Sequence, residues 1–525
     1  MSVLHRLKGR WGVAAFLVAA AAAIAASASA GVGGSTATTA ASAAPCKAKG
    51  TLTYGISGAG ISQLDPTTAA FSGQLPLQSL LYNSLTEYTS RGKVVPDLAT
   101  RWKASKDLKT YRFWLRRGVK YANGRPFTSA DVVANVLRVL DPTVPSLWRP
   151  PIQDIRSVRA ITKYEVRFKL GGPNGSFPEA LVQVEMSDLT DKPQLDKVGN
   201  GTGPYKVKDF VPGQTLTLVP NKLYYGPKAC MQQIGFVREP DPTSMVTDFT
   251  SGKLGVIWQA PLTALTTLRN YKNGYWVKPR SVSSEHLWDV DTSSPPFNNL
   301  VARQALSYAI DRATMVKAAF FGTATPALAN DLISTTNPIY NKRLKPQSFN
   351  LDKAKQLFQQ AGVKPGTTFT FWSLAGRRDE WITMAQILQQ DLQKIGYDLK
   401  IERNDIPTWL GKFNPAGKKF PNTIVGDFWS IPANPIAAFG MAATGQCNCN
   451  WNNKQYDALL KKATATVDPK KRQALFNQMQ VLFAHDLPME TIAHQTNIIY
   501  AQKNIAGIWE DPAGTTRLEG AHVTS

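Results

Sequence analysis

Apolar and polar positions along the chain fall into short alternating stretches and longer stretches with a helical repeat. "LTYGI" (52–56) is a short apolar run that predicts a strand, and "ISQLDP" after it reads as a turn. "QLPLQSLLYNSLTEYT" (74–89) spaces its apolar residues as a helix does. Further on, Tyr111, Phe113 and Leu115 alternate with Arg112, Trp114 and Arg116, the period of a strand with one buried face. Asn123-Gly124 signals a tight turn, and Thr128 or Ser129 is placed to cap a helix beginning near "ADVVANVLRVL". In "VARQALSYAID" Leu306, Ala309 and Ile310 share one helical face, which predicts packing.

The stretch "NGTGPYKVKDFVPGQTLTLVPNKLYYGP" (200–227) poses a choice between a phosphate-cradling loop and a hairpin. A P-loop needs GxxxxGK[ST] between a strand and a helix, whereas here Gly203 is followed by Pro204 and an alternating "YKVKDF". A hairpin is therefore expected, with Gly201 and Gly203 allowing positive φ, Pro204 fixing the strand entry and Gly213 in a type II turn.

With 525 residues, 43% of them apolar, the chain can bury a large core and divide into two or more lobes. Arg6, Lys8 and Arg10 precede an apolar run from Trp11 to Ala26, and Ala28, Ser29 and Ala30 supply the small residues of a cleavage site. Residues 1–30 thus read as a secretory signal, with an uncleaved anchor as the alternative. Residues 31–46 form a small-residue tether. Cys46 follows Ala-Ala-Pro and lies well beyond the apolar run, unlike a lipid-acceptor cysteine, so a soluble mature form is expected.

Four cysteines, Cys46, Cys230, Cys447 and Cys449, suit disulfides in an exported protein. Of three possible pairings the preferred one joins Cys46 to Cys230 and Cys447 to Cys449. No histidine lies near "GQCNCN", and two thiols do not complete a zinc shell, so no metal is expected. The formal charge of +23 falls only to +20 when the three basic groups of the first thirty residues are removed. Such a field holds a protein near anionic envelope polymers or membrane surfaces, or steers an anionic ligand. Nucleic acid is not expected, because the cations are scattered, no binding motif appears and the chain is exported. No GxSxG, HExxH or Walker A motif is present, and the five histidines are well separated, so sequence spacing supports no enzyme.

Taken in order, "LLYNSLTEY", "VVPDLATRWKAS", "YRFWLRRGVKYANGRPFTSADVV" and "LDP" between Leu81 and Asp141 closely resemble the family-5 extracellular solute-binding proteins of ABC importers, the dipeptide, oligopeptide and nickel class. "GTGPYKV", "FVPGQTLTLVPNKLYYGP", "VARQALSYAIDRATMV", "LDKAKQLFQQAG", "AQILQQDLQKIGYDLKI" and "YDALLKKATATVDPKKRQALFNQMQVLFAHDLPME" extend the resemblance over most of the mature chain. The resemblance implies an α/β fold of two lobes joined by a hinge, with ligand enclosed between them. Lobe 1 would span 47–285 with an inserted subdomain at about 82–198, lobe 2 would span 286–497, and 498–525 would return to lobe 1. The implied partners are a peptide or peptide-like solute and the permease of an ABC importer. A monomer without cofactor is expected, touching the membrane only through the permease or an uncleaved N-terminus. A secreted hydrolase or envelope-interaction protein on the same scaffold is the alternative.

The resemblance also implies ligand-binding positions, and one departs from pattern. Peptide binders of the family hold the ligand amine with an aspartate behind a tryptophan; in "GDFWSIPANPIAAF" Trp429 is present, but Ile431 and Pro432 stand where that aspartate belongs, and a later one is Asn434. Asp427 is the nearest carboxylate, so either it takes the amine or the ligand has none. Arg377 and Arg378 lie close to where dipeptide binders carry an arginine for the ligand carboxylate, a role that suits a guanidinium fork. Trp372, Trp409 and Trp429 could stack on a ligand, and Tyr54 is a comparable candidate. Nickel or haem would ask for His or soft ligands around the cleft, and His286, His485 and His494 read instead as core or surface residues.

Overall fold

A computed structural model describes residues 48–524, apart from 58–59, 69–74, 147, 280–283, 375–378, 414–417, 430–433 and 512–513. Two mixed sheets carry the architecture. The first has seven strands in the spatial order Gly274–Trp276, Ile499–Gln502, Val256–Trp258, Thr51–Ser57, Gln233–Glu239, Thr215–Pro220, Tyr205–Val211. Its central strand, Thr51–Ser57, is parallel to both neighbours, and it buries Leu52, Tyr54 and Ile56. The second sheet has six strands in the order Ala324–Pro326, Met489–Gln495, Ser284–Val290, Thr423–Trp429, Thr368–Leu374, Asp398–Asn404. The chain passes from the first sheet to the second between Trp276 and Ser284, and back between Gln495 and Ile499.

Between the strands Thr51–Ser57 and Tyr205–Val211 the chain builds a separate four-stranded antiparallel sheet: Ala99–Ala104, Thr110–Leu115, Glu165–Leu170, Ile155–Thr162. Its own core gathers Phe113, Phe168, Phe177, Val132 and Val136, with the helix Ser129–Leu140 on one face. The expected alternation at Tyr111, Phe113 and Leu115 is observed, all three side chains being buried. Asn123-Gly124 does make the turn, with Gly124 at φ +94° and its N–H on the Tyr121 carbonyl at 2.8 Å. Thr128 starts the helix, its N–H and hydroxyl both donating to the Asp131 carboxylate.

Two local expectations need correction. The helical spacing over 74–89 yields a helix only at Leu75–Leu81, followed by a short strand, Thr86–Tyr88. The physical reason is a division of labour: Leu77, Leu80 and Leu81 pack in the core of the first sheet, while Leu85 belongs to the core of the inserted subdomain. Asp97 stabilises the break by accepting the Ser84 N–H at 3.2 Å. The hairpin of Tyr205–Val211 and Thr215–Pro220 forms as expected around Gly213 at φ +72°, but Gly201 and Gly203 are not at positive φ. They are needed for close approach instead, since a Cβ would fall 2.0 Å from the Leu81 carbonyl oxygen at Gly201 and 2.4 Å from that of Leu80 at Gly203.

Cys447 and Cys449 are joined in a disulfide. Cys230 is also disulfide-bonded, and Cys46 lies outside the described residues. Among the described residues no helix is long and apolar enough to cross a membrane.

Candidate functional site

Asp427 and Trp429 end a strand of the second sheet. The pairing of Leu287 with Asp427 and of Asp289 with Val425 puts Leu287, Asp289 and Asp427 on one face. Asp427 is 7% exposed; its carboxylate accepts the Phe428 N–H at 2.7 Å and the Trp429 Nε1–H at 2.9 Å. Asp289 is 1% exposed, and no donor among the described residues reaches either of its oxygens. Burial first, and then the adjacent Asp427 charge, push the Asp289 carboxyl well above the usual carboxylate range. Burial and the neighbouring carboxylate thus both disfavour the ionised form of Asp289 beside Asp427. Sequence reasoning missed this partner, although an Asp between Trp288 and Val290 in a strand was the available signal.

The Cys447 and Cys449 sulfurs lie with an Asp289 oxygen inside a 4.8 Å cluster. Joined as a disulfide, they offer no thiolate to a zinc-type ion. Asn434 caps the helix Pro435–Gly440, its Oδ1 accepting the Ile436 N–H at 2.9 Å. Trp372 is half-buried, with the Lys412 ammonium 5.0 Å from its ring centre. Trp409 packs in the core of the second sheet, while Trp429 is half-buried against the cluster that holds the disulfide. Arg377, Arg378, Ile431 and Pro432 lie outside the described residues.

On the first sheet Tyr54 is fully buried, its ring 5.3 Å from Phe236 and its hydroxyl donating to Thr516 Oγ1 at 3.4 Å. Beyond Thr516, Arg517 meets three carboxylates: Glu519 at 2.7 Å, and Asp511 and Glu87 at 3.5 Å each. Glu185 is pushed up to about 8 by burial, an effect that the Arg517 charge opposes. With its charge already met by three carboxylates, Arg517 is poorly suited to receive a ligand carboxylate as well.

The histidines split by environment. His286 is buried, accepting the Trp381 Nε1–H at 3.1 Å on Nδ1 and donating from Nε2 to Gln495 at 2.8 Å, so its imidazole is neutral. His494 is buried between Glu285 and Asp331; burial opposes its charge, but the two carboxylates outweigh it and push the imidazolium up to about 10. His485 is exposed beside Asp486. A surface depression of about 520 Å³ near Pro295, Asn298, Lys364 and Asn422 contains none of the candidate ligand residues, so the chemistry points elsewhere.

The two sheets are joined by two chain crossings, and each carries a polar cluster. The family model for bacterial extracellular solute-binding proteins, family 5 (middle), matches residues 93–445. The chain belongs to this family. As a family-5 solute-binding protein it is 26% identical over 473 residues to the nickel-binding periplasmic protein of Escherichia coli (strain K12), covering 84% of this chain and 89% of that one. It is 25% identical over 485 residues to the dipeptide-binding protein of the same organism, covering 84% and 89%. Among solved structures, the periplasmic binding protein DppA from Helicobacter pylori in complex with the peptide STSA superposes with a TM-score of 0.78 at 23% identity, over 91% of this chain and 98% of that one. NikZ from Campylobacter jejuni in complex with Ni(L-His) gives 0.77 at 20% identity, over 90% and 99%. The two-lobe α/β fold expected from the sequence is borne out, and so is the solute-binding role; these relatives are binding proteins.

Proposed function

We propose that this family-5 protein is exported, captures a peptide or peptide-like solute without a free α-amine, and delivers it to the permease of an ABC importer. Relatives named for dipeptide binding and for a bound tetrapeptide support the solute class. The observation that carries the specificity is the state of Asp427. Its oxygens already accept two N–H groups, it is nearly buried, and the buried Asp289 carboxyl lies beside it, so an incoming ammonium would meet a carboxylate that is already partly satisfied and hard to reach. Solute would lie between lobe 1 (47–285 and 498–525) and lobe 2 (286–497). Trp429 and Trp372 would form walls, Arg377 or Arg378 would hold a carboxylate, and Asn434 would shape the wall through its helix cap. Tyr54 and Trp409 would act from behind, since both are packed into cores. Binding without bond-making would be the chemistry, closure excluding water and strengthening polar contacts.

Calorimetry on matched peptides tests the reading. An N-acetylated di- or tripeptide should bind at least about tenfold more tightly than its unblocked twin, the difference of one unshielded ammonium left without a partner. Tighter binding of the unblocked peptide, lost in Asp427→Asn, would make Asp427 the amine anchor and overturn the proposal.

A further inference from the structure

The inserted subdomain presents one face of its four-stranded sheet to solvent, the other being covered by its aromatic core and the helix Ser129–Leu140. Across that outer face the strand register aligns cations. Lys103 pairs with Arg112, Arg112 with Arg167, and Arg167 with Arg159, so one row crosses all four strands. Lys103, Arg112 and Arg159 are exposed and Arg167 is half-buried. The neighbouring row places Arg101 opposite Trp114 and Trp114 opposite Glu165, with the Arg101 guanidinium 3.8 Å from the Trp114 ring centre. Lys169, also exposed, lies on the other side of the row. Glu165 is the one carboxylate at these register positions, and it answers only Arg112, at 3.3 Å.

Like charges directly opposite on adjacent strands destabilise a sheet. Scattered surface lysines on a basic protein would not stack in register, and strands about 4.8 Å apart bring four charges into a row of about 14 Å. The surface is a flat sheet face, and it includes an amphipathic Trp beside an Arg, the pairing that suits a membrane's polar boundary. We propose that this face docks on an anionic phospholipid surface, its row of cations lying on headgroup phosphates. The docking sheet is separate from the two sheets that carry the candidate solute site, so membrane contact leaves solute capture free.

Vesicle co-sedimentation tests the proposal, using the full chain and an Arg112→Glu/Arg159→Glu/Arg167→Glu variant, which share the same N-terminus. With phosphatidylglycerol/phosphatidylcholine vesicles near 0.1 M salt, the parent should bind at least about tenfold more strongly than the variant, since each basic residue at an anionic surface contributes appreciably. Both should bind pure phosphatidylcholine equally, and about 0.5 M salt should remove the difference. A glutamine series at the same three positions should give an intermediate loss, and unchanged thermal melting shows that the subdomain remains folded. Equal binding of parent and variants to the anionic vesicles overturns the proposal. So does a parent that prefers soluble polyphosphate to the vesicles, which would assign the face to an anionic polymer. No solute or permease enters the experiment, so its failure and that of the solute-capture reading are distinguishable.

Discussion

Glu510 is almost wholly buried, with the Asn497 amide donating to one oxygen at 2.9 Å and no partner for the other among the described residues. Burial, aided by the Asp511 charge and opposed by Asn497, pushes its carboxyl up to about 8. The unfolded chain releases this proton near the ordinary value of 4.5, so between the two values the folded state binds more protons. Stability from this group is therefore full below the unfolded value and is lost as pH rises towards 8. His494 works in the same direction over a higher window: its imidazolium stabilises the fold fully below 6.5, and the contribution disappears as pH rises through about 10. Melting temperatures measured from pH 5 to pH 8 should fall in the parent, and Glu510→Gln should flatten part of that fall while leaving the decline above pH 8. An unchanged slope in Glu510→Gln would show that the carboxyl is not protonated in the folded protein.

At the scale of elements, the approach of the helix Leu75–Leu81 to the loop before Tyr205 tests how glycine is used. A Cβ at residue 203 would meet backbone, 2.4 Å from the Leu80 oxygen and 2.6 Å from the Leu81 carbonyl carbon, and backbone cannot rotate away. Gly203→Ala should cost about 2–3 kcal/mol by overpacking, against about 1 kcal/mol for Gly213→Ala, whose burden is only a positive φ. Urea denaturation reads both, and equal losses would remove the close-approach explanation. The hairpin around Gly213 was legible because alternation and turn chemistry are local properties. The use of Gly201 and Gly203 was not, because it depends on a segment far earlier in the chain. The same limit hid the break after Leu81, where one apolar run serves two cores. Asp427 and Trp429 were noticed through family pattern, whereas Asp289 became their neighbour only through strand register.

Over the whole molecule, the inserted subdomain also touches the second lobe through elements that belong to neither chain crossing. The Gly175 N–H donates to the Thr464 carbonyl at 2.8 Å, and Arg472 Nη1 donates to Ser176 Oγ at 2.8 Å. The charge of Arg472 also lowers the cost of the buried Glu179 carboxyl beside Ser176, which burial pushes upward. These contacts form only when the two lobes are near one another, so separating the lobes would break them. A binding protein whose closed state is favoured by such contacts pays less of the solute's binding energy for closure, and its apparent affinity rises accordingly. Removing a charged hydrogen bond of this kind, worth about 1 kcal/mol net, should weaken solute binding about fivefold in Arg472→Ala. Small-angle scattering on the solute-free protein should show a larger radius of gyration, while the solute-saturated form keeps the parent's value. Ser176→Ala should reproduce the direction with a smaller effect, because Arg472 keeps its attraction to Glu179. If Arg472→Ala binds solute as tightly as the parent and scatters identically without it, the Arg472 contact contributes nothing to closure, and the lobe equilibrium must be set by the remaining contacts, the Gly175–Thr464 bond among them, and by the two crossings.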